Sequence, residues 1–588
     1  MTMFRTVAEA LAKGGQTWPE SRMVFQDQRG VETNYPYPEL ERLTAERAAS
    51  LAAMGLAKGD RVGMIVVEPE DFVLTFLAAV RIGVIPVPMY PPLSFGSLDA
   101  YAERSARILT LSKARVLVAS AQLQNVLWSL VDKVPSLERL VRVEDVRGVG
   151  LARPSFPTIA PDDMCFLQYT SGSTSDPKGV VVTHGNLVSN AGAIVEALGY
   201  TSANTMGTSW LPLYHDMGLI GCVITPILHG LSFAYIPTIR FIKKPSVWFE
   251  TMHRHRATTT FAPNFAYALI AKKAKPDEIA TWDLSSVQTF GCGAEPIQAQ
   301  TVRDFHEVFG GCAIRRDAFL PAYGMAEATL CMSVKPLGGV WHTNVVDAEA
   351  FQSRGVVAAP TDDASVFEHM ACGPALPRHE LAILDDLGNP LPDGQEGEIC
   401  FRGPSVCPGY FENPEATRAS RHGEWLRTGD LGYLLAGEVY VTGRLKDLII
   451  LNGRNLHPQS IEWVVAEVEG VRKGNVVAFS RPGAGSEELV VVLETKEEDK
   501  ASLGEAVKQR VQREMGCSVS DVVCVAPGEL PKTSSGKLQR RKTREMYLQG
   551  GLGTQGSRIA GSTGDSITLA RHVAASMWSR AKNAVLSR

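Results

Sequence analysis

The segment LQYTSGSTSDPKGVVVTH, residues 167–184, places Thr170, Ser171, Gly172, Ser173 and Thr174 in a loop between two apolar runs, with Lys178 just beyond. Backbone N–H groups and hydroxyls in such a loop point outward. They are the donors that wrap phosphate oxygens, and a lysine adds a point charge. The familiar P-loop requires a lysine directly after glycine and before a hydroxyl residue. Here Lys178 follows Pro177 and precedes Gly179, so that motif is absent. Other short stretches carry charged side chains in turn-like sequence. They are Glu327 in LPAYGMAEAT, Asp430 in LRTGDLG, Arg444, Lys446 and Asp447 in TGRLKDLII, and Lys537 in PKTSSGKLQR. Taken singly, each reads equally well as a polar turn or a solvated side chain.

The elements that position these groups follow from periodicity. YPELERLTAERAASLAAMG has helical spacing and closes on Gly55, a C-cap signal. DRVGMIVV reads as a buried strand, DFVLTFLAAVRIG as a helix and VIPVPMY as a strand; ARVLVAS and DMCFLQYT add further apolar strands. Helices alternating with fully apolar strands predict an α/β fold with a largely parallel sheet covered on both faces. From about residue 376 alternating strands joined by Gly, Asp and Asn turns predict a β-rich subdomain of hairpins. After Arg444, the stretches SIEWVVAEVEGV, GNVVAFSR, ELVVVLETK and LGEAVKQRVQREM predict a small α/β domain over 445–548. Residues 549–588 read as a Gly/Ser linker followed by a tail helix. GDSITLA around Ser566 looks superficially like a carrier-protein attachment site. A linker rather than a helix precedes it, so a docking or disordered tail is expected.

A chain of 588 residues is too long for one core, so two or more domains are expected. A net charge of −4 gives no electrostatic footprint for nucleic acid or anionic membrane. The ten cysteines show no C-x-x-C pair, which argues against a zinc site or a disulfide framework. The N-terminus lacks a secretory apolar core. The most apolar stretch, Val62 to Pro92, is broken by Glu68, Glu70, Asp71 and Arg81, so no integral membrane segment is expected. A reducing cytoplasm is the expected compartment.

Taken together and in this order, the motifs resemble those of the adenylate-forming enzymes, which include acyl- and aryl-CoA ligases, amino-acid adenylation domains and luciferases. The form S-G-S-T-S-x-P-K-G-V is most similar to fatty-acyl-AMP ligases; typical CoA ligases carry glycine at Ser175. The resemblance runs from near the N-terminus to about residue 548. It implies that the 170–174 loop and Lys178 bind ATP phosphates, and that Tyr323 stacks near adenine. Gly324, Met325 and Ala326 would allow close backbone approach, while Gly293, Ala294 and Glu295 of GCGAEPI cover adenine and the acyl-phosphate. Asp430 and Arg444 would hold ribose. Thr170 and Glu327 would hold Mg2+, a hard cation suited to carboxylate, hydroxyl and phosphate oxygens.

By the same resemblance Lys446 is a hinge between a 1–444 adenylation domain and the small domain, and Lys537 is the catalytic lysine. Lysine suits that task as a compact mobile charge on a long stem. SWLPLYHDMGLIGCVITPILHG and TTTFAPNFAYALIAKK would line an acyl pocket, with His215 and Asp216 near its mouth and Gly218, Asn264 and Phe265 along it. No carboxylate or amide stands out to read an α-amino group, so a fatty or other apolar acid is expected. Glu327 and Gly373 lie 46 positions apart (373 − 327), longer than in typical acyl-CoA ligases. The extra segment, 335–372, resembles the insertion of fatty-acyl-AMP ligases, which is thought to restrain the small domain and discourage CoA use. NGRNLHPQSIE points the same way. The implied reaction is acyl-AMP formation from ATP, then transfer to the thiol of an acyl carrier protein. The alternatives are an acyl-CoA ligase and a non-catalytic nucleotide or acyl-lipid sensor.

Overall fold

The computed structural model describes residues 3–92, 98–148, 151, 154–170, 177–361, 364–451, 454–483, 487–533 and 537–552. Its largest element is an eight-stranded sheet. The order is Cys331–Val334, Phe319–Gly324, Thr289–Cys292, Thr259–Ala262, Met206–Ser209, Ser232–Tyr235, Arg22–Gln26 and Glu32–Pro36. The six central strands run parallel and an antiparallel strand closes each edge. A second, all-parallel sheet has the order Ile85–Pro88, Arg61–Ile65, Val116–Ala119 and Arg139–Arg142. Helices Tyr37–Ala53 and Pro69–Arg81 form where periodicity predicts them, and Gly55 adopts φ +82 beyond the first. Among the described residues no helix is long and apolar enough to cross a membrane.

One strand departs from expectation. Met164–Thr170 joins neither parallel sheet; it pairs antiparallel with Lys178–Thr183 as a separate ribbon. A short connection can join only antiparallel neighbours, because parallel strands need a crossover of a dozen residues or more. The ribbon feeds helix His184–Leu198 through a capping box in which the Thr183 hydroxyl accepts from Asn186 N–H, fixing where the ribbon ends.

Residues 380–444 form the expected hairpins, a five-stranded antiparallel sheet that includes Trp425–Leu435 and Glu438–Arg444. Beyond them Val471–Pro482, Glu487–Thr495 and Val519–Val525 make a three-stranded sheet with helices Pro458–Ala466, Lys500–Met515 and Arg540–Leu548. The segment between Glu327 and Gly373 contains a hairpin, Thr343–Asp347 with Val366–Met370, around helix Ala348–Arg354. Its Val346, Ala348, Phe351 and Phe367 share one apolar cluster with Tyr433 and Tyr440, and also with Ile449, Leu456, Ile461 and Val465. The Tyr433 hydroxyl anchors the same hairpin, accepting from Asn344 Nδ2 at 3.0 Å. The tail from residue 553, with Ser566, lies outside the described residues.

Candidate active site

Lys178 opens the second strand of the ribbon. The outer edge of that strand pairs with a loop: Val181 N–H donates to Gly409 and Phe411 N–H to Gly179, at 2.9 and 2.8 Å. That pairing carries Tyr410 in front of Lys178, whose ammonium lies 5.2 Å from the ring centroid. The Tyr410 hydroxyl donates to Glu327 Oε1 at 2.8 Å. Glu327 sits on a single 3-10 turn, Ala326–Ala328, after the strand Phe319–Gly324. Gly324 is obligatory there, because a Cβ would fall 1.9 Å from the Leu330 carbonyl oxygen. Burial pushes the Glu327 carboxyl up, while the Tyr410 hydrogen bond pulls it down. Among the described residues no group of three His, Cys, Asp or Glu is arranged to hold a metal. A divalent cation at Glu327 would take its further ligands from hydroxyl and phosphate oxygens and water, a sparse protein set that Mg2+ accepts.

Asp430 and Arg444 meet because they are register partners on antiparallel strands. Arg444 Nε lies 3.1 Å from Asp430 Oδ1, and the Tyr323 hydroxyl donates to Oδ2 at 2.8 Å. Burial pushes the Asp430 carboxyl up against the pull of Arg444 and Tyr323. A buried carboxylate held on both oxygens keeps its orientation while retaining lone pairs for hydroxyl donors.

Lys537 is tied to Thr533: Thr533 N–H donates to the Lys537 carbonyl at 2.7 Å and Lys537 N–H to the Thr533 hydroxyl at 3.0 Å. Burial lowers the basicity of its ammonium, and the carboxylates of Glu295 and Asp216 pull it back. Both carboxylates are fixed. Glu295 Oε1 accepts from Phe265 N–H at 2.6 Å, next to Ala294, whose φ of +68 re-aims the chain after the strand Thr289–Cys292. Asn264 Oδ1 accepts from Gln298 N–H at 3.2 Å and ties down the same loop. Asp216 Oδ1 lies 2.5 Å from His215 Nδ1 and accepts from Met217 N–H at 2.7 Å. Burial raises the Asp216 carboxyl, but His215 and Lys537 outweigh it and hold it low.

The three groups open on one cleft of about 2450 Å3. Lys178, His215, Asp216, Gly218, Asn264, Phe265, Gly293, Ala294, Glu295, Tyr323, Gly324, Met325, Ala326, Glu327, Asp430, Arg444, Lys446 and Lys537 all line it. Ser171, Gly172, Ser173 and Thr174, together with the side chain of Thr170, lie outside the described residues. Lys446 is exposed in the turn Leu445–Asp447. That turn is tied to the following region by Arg540, which pairs with Asp447 and with Glu462 at 2.9 Å. Behind His215, residues Met217–Ile224 form a π-helix, a rare wound form frequent at functional sites. It brings Gly218, Gly221 and Cys222 to the cleft wall.

Sequence reasoning missed Tyr410, a tyrosine in a Pro/Gly loop with no signal of its own. It also missed the buried pair His457 Nε2 and Glu396 Oε1, 2.9 Å apart. Thr442 donates to the same Glu396 oxygen.

The AMP-binding enzyme family matches residues 11–411, and the chain belongs to it. A putative acyl-CoA synthetase of Caulobacter vibrioides is 36% identical over 524 residues, covering 88% of this chain and 91% of the relative. The medium-chain-fatty-acid–[acyl-carrier-protein] ligase JamA of Moorena producens is 34% identical over 556 residues, covering 89% and 91%. A solved structure from a study of fatty acyl-adenylate ligases of E. coli and L. pneumophila superposes with TM-score 0.88 at 31% identity, covering 93% of this chain and 98% of that one. The protein is an adenylate-forming ligase with the α/β fold expected of that class.

Proposed function

We propose that this enzyme converts a fatty acid and ATP to acyl-AMP and pyrophosphate, then passes the acyl group to the pantetheine thiol of an acyl carrier protein. The observation that carries the reading is the meeting, in one cleft with apolar lining, of a half-buried lysine, a held carboxylate and a tyrosine-backed glutamate. A carboxylate oxygen attacks the α-phosphorus of ATP, the bond to the β-phosphate oxygen breaks, and pyrophosphate leaves with its electron pair. Catalysis of this kind is mainly positioning and charge neutralisation. Lys537 balances charge between the attacking carboxylate and the α-phosphate, while Asp430 accepts from the ribose hydroxyls and Arg444 contacts the sugar. Lys178 and the 170–174 loop receive the departing phosphates. Glu327 and Thr170 would hold Mg2+, which would supply neutralisation of the phosphate charge.

Residues 445–548 serve as a domain that turns about Lys446, and the 335–372 insertion restrains that turn. The shared apolar cluster supports this part of the reading, because apolar contacts must separate before the region can rotate. Restraint favours delivery to a carrier over free CoA. All ten cysteines are free thiols, which supports a reducing cytoplasm. The name of the Caulobacter relative keeps a second reading open, acyl-CoA synthesis.

Mass spectrometry of products from ATP, Mg2+ and a fatty-acid series, run with CoA, with holo carrier protein or with neither, decides the matter. Acyl-AMP that accumulates in the presence of CoA and is consumed only by the carrier supports the proposal. Rapid acyl-CoA formation overturns the carrier assignment, and the absence of adenylate with every acid overturns the substrate class.

A further inference from the structure

The cleft that Lys537 lines is also bordered by Phe233, Thr259 and Phe261 of the eight-stranded sheet, and register shows how they are placed. Thr259 and Phe261 sit opposite Thr289 and Gly291 on the next strand, while Gly207 lies between Thr259 and Phe233 on the other side. Partners in a parallel ladder point to the same face. A Cβ on Gly207 would lie 2.1 Å from the Phe233 ring, and one on Gly291 would lie 2.1 Å from the Phe261 ring. Both rings therefore lie down across a neighbouring glycine and leave a flat apolar floor.

The catalytic groups stand at the C-terminal ends of these strands, at Gly293 and Glu295. At the opposite end the Tyr200 hydroxyl and Thr259 Oγ1 are 2.6 Å apart and both residues are buried. Tyr200 is itself fixed by its position. It follows the helix His184–Leu198 through Gly199 at φ 60, and its N–H donates to Val195 at 3.1 Å. Leu198, Leu231 and Tyr200 border the same cleft as Lys537.

We propose that Tyr200, held by Thr259, is the end stop of the acyl channel and sets the upper limit of chain length. This rests on the reading of the cleft as a fatty-acid site. The four residue steps from Thr289 to Gly293 span about 13 Å at a strand rise of about 3.3 Å, the length of roughly ten extended methylenes. A medium-length chain fills the channel, and a longer one meets a phenol that cannot swing aside without losing its buried hydrogen bond.

The test is acyl-AMP formation by the full chain across a saturated series from hexanoate to stearate, for wild type, Tyr200→Ala and Tyr200→Leu. Wild type is expected to fall off sharply beyond about twelve carbons. Removing the phenol is expected to raise the ratio of kcat/KM for palmitate over octanoate by about tenfold or more, the usual worth of a methylene or two in an apolar pocket. Thermal melting identifies a variant that does not fold; if Tyr200→Ala fails there, Tyr200→Leu decides. An unchanged ratio in a folded variant, or a wild type with no length limit, overturns the end stop alone. A wild type that adenylates no fatty acid removes the substrate reading and the end stop together.

Discussion

Replacing Tyr410 by Phe removes one hydroxyl and leaves the ring beneath Lys178 in place. The lost contact is the 2.8 Å hydrogen bond to Glu327 Oε1. A hydrogen bond to a charged group contributes about 1.5–3 kcal/mol, the upper part of that range applying where a buried partner is left unsatisfied. If the full contact is made in the transition state, the loss corresponds to about ten- to a hundredfold in rate. The sign of the pH effect follows from the same contact. Burial already pushes the Glu327 carboxyl up and Tyr410 pulls it down, so removing the hydroxyl raises it further. Less of the enzyme then carries an ionised Glu327 at mildly acid pH, and the acid limb of kcat/KM moves to higher pH.

ATP–pyrophosphate exchange as a function of pH and of Mg2+ concentration reads both effects. Tyr410→Leu, which also removes the ring beneath Lys178, should cost a further two- to fivefold, the worth of about 0.5–1 kcal/mol for a cation over an aromatic face. A Tyr410→Phe enzyme within twofold of wild type at every Mg2+ concentration, or an acid limb that stays put, would refute the role given to this hydroxyl.

Further outcomes follow from the same geometry. Lys537→Ala should retain ATP in equilibrium binding yet lose adenylation by a hundredfold or more, about 3 kcal/mol for one preorganised charge contact; full exchange activity would sink the assignment. Because burial lowers its basicity, the alkaline limb of the wild-type rate should fall below the ordinary lysine range, and Lys537→Arg should move that limb upward in whatever activity it keeps. His457→Ala leaves Glu396 with Thr442 as its remaining side-chain donor, in a site where both members of the pair are almost wholly buried. Losing a hydrogen bond to a buried charged group costs about 1.5–3 kcal/mol, so calorimetry should show a fall in melting temperature. Phe351→Ala empties part of the apolar cluster that the insertion shares with residues 449–519 and should cost about 3–5 kcal/mol. It should also raise acyl-CoA formation relative to wild type; an unchanged product ratio in the folded variant would count against restraint by the insertion.

Regular periodicity carried the parallel sheets and the long helices into view, because a strand buried on both faces and an amphipathic helix each write their pattern locally. The ribbon Met164–Thr170 with Lys178–Thr183 did not stand out from its neighbours. Its strands are as apolar as those of the main sheets, and apolarity says nothing of pairing direction. Asp430 and Arg444 could be marked by their motifs, yet their opposition across a ladder depends on register set by the bulge at Leu431 and Gly432. Tyr410 and Tyr200 were illegible for a plainer reason. Their partners, Glu327 and Thr259, are 83 and 59 positions away, and no local pattern marks a residue whose function lies in a distant contact. The π-helix Met217–Ile224 reads in sequence only as an apolar run rich in small residues.

The cluster joining Val346, Phe351 and Phe367 to Ile449, Leu456, Ile461 and Val465 also bears on how the polypeptide comes apart. In a chain whose halves met only through polar contacts, proteolysis near Arg444 would release two soluble pieces. Here the same cut would strip cover from aliphatic and aromatic side chains on both fragments, and uncovered patches of that kind drive aggregation. Limited digestion should therefore yield a nicked complex that stays together through gel filtration. Neither half made alone should be recovered in soluble form as readily as the whole.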